Sequence, residues 1–191
     1  QKLPYQTVDG FQMVSTITFF PFLVVTTAES RYRSLAEVLA AARQQPSAIS
    51  YGTAGVGSTH HLVGELMAKM AGVQMLHVPY RGDSASLTSL MAGDIPMIIA
   101  PPTAVLGNLK AGKLRALAVT GSRRWGGMPE VPTVAEQGVA GFEVTSWAGW
   151  MLPAGTPMPI VERLHAETRK ALQVPAVKAR LEEMGGEASG T

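Results

Sequence analysis

Leu35, Val38, Leu39 and Ala42 recur at the three- and four-residue spacing of one helical face. Ser34 and Glu37 form a capping box at the start of that run, and Pro46 stops it. Leu62, Leu66 and Met70, four apart, predict a second helix closed by Gly72. Leu87, Leu90 and Met91 mark the core face of a third, which Gly93 ends. Short apolar runs separate these helices: residues 49–51, 75–78 (read as a buried strand) and 95–100. Pro101-Pro102-Thr103 opens a short helix through Leu109, and residues 114–119 form one more strand. The order over 49–119 is β-α-β-α-β-α-β, which implies parallel pairing with right-handed crossovers.

The flanks break this alternation. Residues 14–27 are rich in β-branched and aromatic side chains and read as two strands interrupted near Pro21. Residues 132–136 open a short helix that Gly138 closes, and residues 142–152 read as a strand carrying Trp147 and Trp150. Val161, Leu164 and Ala171 mark a longer helix; Pro175 starts another with Val177, Leu181 and Met184 on one face. The pattern therefore predicts one compact α/β lobe around a mainly parallel sheet, with helices on both faces. A second lobe is assembled from the two ends of the chain.

Composition narrows the function classes. A chain of 191 residues, 46% hydrophobic and 16% charged, holds one sizeable domain or two small ones. The net charge of +2 gives no footprint for nucleic acid. There is no cysteine, hence no disulfide and no thiolate metal site, which fits the cytoplasm or the bacterial periplasm. No apolar run approaches the roughly 20 residues that span a bilayer. The chain opens at Gln1 without a signal-peptide pattern, so it is expected to be processed, truncated or part of something longer.

The chemistry concentrates at Tyr51-Gly52-Thr53-Ala54-Gly55-Val56-Gly57-Ser58-Thr59-His60, between a strand signal and a helix signal. Glycines let the backbone turn tightly, Ser58 and Thr59 suit the N-cap, and free N–H groups at a helix start attract an anion. The same pattern also describes a glycine-rich turn without a ligand. The dinucleotide fingerprint G-x-G-x-x-G and the nucleophile elbow G-x-S-x-G are both absent. Ser58 near His60 has no orienting carboxylate at a defined spacing, so no catalytic residue is expected. His61 and Glu65 share a helical face but lack a third ligand, so no metal and no cofactor are expected. Arg81, in a loop after a strand, is either a carboxylate partner or a surface residue.

Five segments in order resemble one family. They are the glycine stretch through His61-Leu62, then His77-Val78-Pro79-Tyr80-Arg81-Gly82, then residues 111–120, then Val131-Pro132-Thr133-Val134-Ala135-Glu136-Gln137-Gly138, and Pro153-Ala154-Gly155-Thr156-Pro157. Together they resemble the Bug or TctC-type solute-binding proteins of tripartite tricarboxylate transporters. The resemblance implies a periplasmic-binding-protein-like (type II) two-lobe clamshell of α/β class, one lobe complete and the other partial. Domain 2, the ligand-binding lobe, would span 21–117; residues 1–20 and 118–191 would supply partial domain 1 with the crossover strands. It further implies periplasmic binding of a small carboxylate or dicarboxylate, for delivery to the membrane subunits of the transporter. The alternative is an α/β enzyme using the same loop for a phosphate or acyl substrate.

The ligand-binding set implied is Thr53, Gly55, Val56, Gly57, Ser58, Thr59, His60, Tyr80 and Arg81. Family members carry further chain before Gln1 and a final helix past Gly190-Thr191, so an incomplete chain is expected. Ala100-Pro101-Pro102 stands where many relatives have an acidic residue and an asparagine, which removes the usual polar contacts. Phe19, Phe20, Phe22 and the strand at 147–151 are expected to lie uncovered. Self-association of the fragment, or covering by chain not present in it, is the expected consequence.

Overall fold

The strand signals at 14–27 become β1 (Phe11–Pro21) and β2 (Leu23–Thr27). A computed structural model describes residues 4–191; residues 1–3 of the domain expected over 1–20 lie outside the described residues. The alternating stretch follows as α1 (Leu35–Gln44), β3 (Ser50–Thr53), α2 (Thr59–Ala71), β4 (Leu76–Pro79), α3 (Asp83–Ala92), β5 (Ile98–Ala100), α4 (Pro102–Lys110) and β6 (Leu114–Val119). After a 3-10 turn at Ala135–Gln137 come β7 (Thr145–Pro153), α5 (Met158–Gln173), α6 (Pro175–Glu183) and β8 (Glu187–Ala188). The chain divides into two compact units, Pro21–Ser146 and Gln1–Phe20 with Trp147–Thr191.

In the middle unit the sheet order is β4-β3-β5-β2-β6. β3 pairs in parallel with β4 and β5, but β2 pairs antiparallel with both β5 and β6. The sheet is therefore mixed rather than mainly parallel. The alternation rule still holds for the strands it governs. β5 and β6 both oppose β2, so β3 to β6 all point one way. β2 precedes the first crossover and enters between β5 and β6 against their direction.

Burial follows from coverage on both faces. Leu23, Val24 and Val25 are consecutive on β2 and all fully buried, so both sides of this strand are covered. Leu23 and Val25 pack with Leu90 of α3 and Val105 of α4 in one cluster. On the other face, α2 approaches β3 so closely that a Cβ at Gly64 would stand 2.2 Å from the Tyr51 ring. Only a glycine allows that contact.

Three expectations shift. Strand β4 is an edge strand with Leu76 54% exposed, not a buried one, because among the described residues it pairs on one side only, with β3. The apolar face of α2 that packs inward is Val63, Met67 and Ala68, whereas Leu62, Leu66 and Met70 are exposed. Met91 of α3 is likewise exposed while Leu90 is buried.

The middle unit also reaches to Ser146, beyond the boundary expected near Leu117. Its physical cause is a set of polar clasps. The buried Thr120 hydroxyl accepts from the Phe22 N–H (2.8 Å) and donates to the Val144 carbonyl (2.7 Å). Gln137 accepts from the Leu35 N–H at the start of α1 (2.8 Å) and donates to the Leu117 carbonyl (2.6 Å). The segment after β6 thus caps α1 and holds the backbone just before β2, satisfying groups that would otherwise be buried and unpaired. Ser34 caps α1 as expected, accepting from the Glu37 N–H (3.2 Å). The Glu37 carboxylate reaches back to the Arg33 N–H (2.6 Å), one residue before the cap.

The other unit has a three-stranded sheet of order β7-β1-β8, with β1 and β8 antiparallel. The His165 ring of α5 lies 2.8 Å from the Val14 carbonyl of β1. Phe19, Trp147, Trp150 and Met151 are 40%, 48%, 57% and 50% exposed. Phe22, expected with them, is instead buried at 2% in the middle unit. Its backbone N–H and carbonyl are both held by Thr120.

Candidate functional site

The glycine stretch folds as the turn from β3 into α2. Gly52 belongs to β3 itself; Gly55 (φ 137°) and Gly57 (φ 79°) supply the left-handed backbone that the turn needs. Ser58 is the N-cap of α2, with its backbone extended at φ −66° and ψ 159°. Its hydroxyl accepts from the His61 N–H (3.3 Å) and donates to the Gly55 carbonyl (2.7 Å). The buried Thr53 hydroxyl accepts from the Gly55 N–H (3.2 Å) and lies 2.6 Å from His77 Nε2. Both hydroxyls are therefore spent on the shape of the loop.

What the loop leaves open is backbone. The N–H groups of Val56, Thr59 and His60 have no acceptor among the described residues. Thr59 is exposed at the first position of α2, and Val56 is 77% exposed at the tip of the turn. A helix start with unpaired N–H groups carries partial positive charge, the condition for holding a carboxylate or phosphate.

The neighbouring loop, from β4 into α3, runs alongside. The Tyr80 N–H donates to the Thr53 carbonyl (3.0 Å) and the Gly82 N–H to the Ala54 carbonyl (3.2 Å). Tyr80 is half-buried with its hydroxyl 2.6 Å from that of Ser89, and Arg81 is exposed. Asp83 is the first residue of α3, and the cap residue is Gly82, without a side-chain bond. The Asp83 carboxylate lies 3.2 Å from His60 Nε2. The His60 ring also meets the Phe22 ring edge to face at 4.6 Å. Neither His60 ring nitrogen is aligned for a hydrogen bond, Asp83 included.

Sequence reasoning singled out nine residues and missed their scaffold. His77 stacks on His61, centroids 3.9 Å apart, and lies beside Tyr51 at 5.2 Å. The Tyr51 hydroxyl donates to Glu65 (2.7 Å). Burial, then the bond to Glu65 and its charge, raise the Tyr51 pKa above the ordinary phenol range. Burial, then the neighbouring His61, hold the His77 pKa below the ordinary imidazole range, against an opposing pull from Glu65. A cross-strand argument finds part of this: Tyr51 and His77 are register partners on parallel strands, so their side chains share a face. Among the described residues no group of three or more His, Asp or Glu side chains could hold a metal ion. The Ser58 hydroxyl donates to a carbonyl oxygen rather than to a base.

Comparison with known proteins agrees with this architecture. The profile of the TctC family, described as tripartite tricarboxylate transporter family receptors, matches residues 1–190. The chain is 42% identical to a UPF0065 protein from the tcbD-tcbE intergenic region of Pseudomonas sp. (strain P51), over 99% of this chain and 56% of that protein. It superposes on the structure of R. palustris Rpa4515 with adipate, with a TM-score of 0.94 and 35% identity, over 100% of this chain and 64% of that one. MatC (Rpa3494) from Rhodopseudomonas palustris with bound malate gives a TM-score of 0.85 and 29% identity, over 98% and 64%. The chain thus spans roughly half the length of the curated relative and about two thirds of the solved ones. With its α/β fold matching periplasmic solute-binding proteins throughout, the chain belongs to the TctC family of tripartite tricarboxylate transporter receptors.

Proposed function

We propose that the chain supplies a carboxylate-binding surface of a periplasmic solute receptor and that the β3–α2 turn is its anion site. One carboxylate of a small dicarboxylate is held by the unpaired N–H groups of Val56, Thr59 and His60, assisted by the Thr59 hydroxyl. Ser58, Thr53, Gly55 and Gly57 set the turn; Tyr80, Arg81 and Asp83 border it from the β4–α3 loop. The observation that carries this reading is the start of α2, where three N–H groups lack an acceptor among the described residues. Family membership and relatives solved with adipate and malate support it. In the whole receptor the two units are parts of a two-lobe clamshell, domain 2 being the middle one, and the partners are the transporter's membrane subunits. The family of receptors to which the chain belongs favours binding over activity as an enzyme.

The reading is tested by calorimetric titration of the receptor with adipate and malate, comparing Thr59→Ala and Thr59→Pro with the parent. Loss of the hydroxyl weakens binding by about 1 kcal/mol and loss of the N–H by about 2, the scale of hydrogen bonds to a charged group. Proline is tolerated at the first helical position, so the fold survives. Unchanged affinity in both variants overturns the assignment of the turn.

A further inference from the structure

The glycine turn is fastened at both ends by imidazoles that the anion site does not use. The Gly57 N–H donates to His61 Nδ1 (3.2 Å). Because Nδ1 accepts, the proton of the neutral ring is on Nε2, which faces Glu65 Oε1 at 3.8 Å. At the other end His77 Nε2 lies 2.6 Å from Thr53 Oγ1, which itself accepts from the Gly55 N–H at 3.2 Å. The two rings stack with 21° between their planes and centroids 3.9 Å apart. The pair therefore ties α2 and β4 to the amides of both left-handed glycines.

We propose that His61 and His77 form a proton-sensitive latch: the neutral pair holds the glycine turn in its anion-binding shape, and a proton on His61 Nδ1 releases it. The functional part of this proposal rests on the turn being the carboxylate site. His61 is a positioning residue in it, acting through Gly57.

The titratable groups facing His61 fix the direction. Glu65 faces Nε2 from one turn along α2, the Tyr51 phenol reaches Glu65 from β3, and His77 covers the ring from β4. Nε2 already carries a hydrogen, so Nδ1 is the nitrogen left to take a proton. That proton turns the acceptor of the Gly57 N–H into a donor, and two donors then face each other. His77 does not share the charge, because burial disfavours it there and a second imidazolium at stacking distance repels the first.

The test has two arms. In the first, the isotopically labelled chain is titrated from pH 8 to 5 by NMR without ligand. The Gly57 amide shift is expected to move with the protonation of the His61 ring. Its hydrogen exchange, corrected for the intrinsic pH dependence, is expected to speed by about fivefold, as for one lost hydrogen bond. His61→Asn, whose side-chain oxygen accepts at every pH, keeps Gly57 protected and flat. His61→Phe, which stacks but cannot accept, leaves it unprotected throughout. A Gly57 amide that ignores the His61 titration, or moves as much in His61→Asn, overturns the latch.

In the second arm, adipate is titrated at pH 8. His61→Phe is expected to bind about fivefold more weakly than the parent, with His61→Asn within about twofold. Equal affinity of parent and His61→Phe overturns the positioning role. Absence of adipate binding in the parent itself counts against the carboxylate reading, and the amide titration still decides the latch.

Discussion

In the middle unit Leu23, Val24, Leu35, Val63, Met67 and Ile98 are fully buried. In the unit of the two chain ends, Trp147 and Trp150 are about half exposed, and among the described residues Val14, Val161 and Leu172 are the large apolar ones buried below a tenth. Both units contain a sheet and helices, so secondary structure does not explain the contrast. The difference is in how strands meet helices. Each crossover in the middle unit lays a helix over the sheet it has just extended, and both faces end up covered. The β7-β1-β8 sheet instead joins strands far apart in sequence, and β8 contributes two residues. Helices on both faces close the core of the middle unit, whereas the strand carrying Trp147 and Trp150 leaves apolar side chains in view.

The comparison predicts unequal responses to truncation. Leu23→Ala, on a strand covered on both faces, is expected to cost about 2–5 kcal/mol by urea denaturation. A loss under 1 kcal/mol would mean that the middle unit relaxes around the cavity and is packed no better than the other.

A smaller effect sharpens the comparison through pH. His77 in the middle unit has its folded-state pKa lowered below the ordinary imidazole value of 6.5, mainly by burial. The unfolded chain therefore binds more protons between that depressed value and 6.5. Stability from this group is complete above 6.5 and is lost as pH falls below it. Parent and His77→Phe should diverge in melting temperature only on the acid side, with the parent falling faster. Parallel curves across pH 5 to 8 would remove His77 as the cause.

The smallest change in stability is expected in the other unit. Trp147→Ser with Trp150→Ser should shift unfolding free energy by no more than about 1 kcal/mol, as for exposed positions. It should, however, lower the mass of the chain in analytical ultracentrifugation, since uncovered apolar surface favours self-association. An unchanged monomeric mass in both forms would show that the exposed tryptophans drive no association.

Much of the middle unit was legible because the signals are local. Ser34 caps α1, Gly72 and Gly93 close α2 and α3 with left-handed backbone, and β6 spans Leu114–Val119 as the pattern requires. The position of the glycine turn between β3 and α2 was legible for the same reason. Which face of α2 turns inward was not: Leu62, Leu66 and Met70 and the set Val63, Met67 and Ala68 have the same period. The choice fell to the Tyr51 ring, which demands Gly64 opposite it.

The sequence by itself determined the alternation of strands and helices over 49–119, several helix ends and the family, because caps, breakers and motifs act over a few residues. Tertiary structure alone decided that β2 runs against its neighbours and that Thr120 and Gln137 draw the segment after β6 into the middle unit. It also brought His77 onto His61 beneath the glycine turn. These contacts join residues from 16 to 102 positions apart, and no periodicity in the chain encodes which distant partner satisfies a buried polar group.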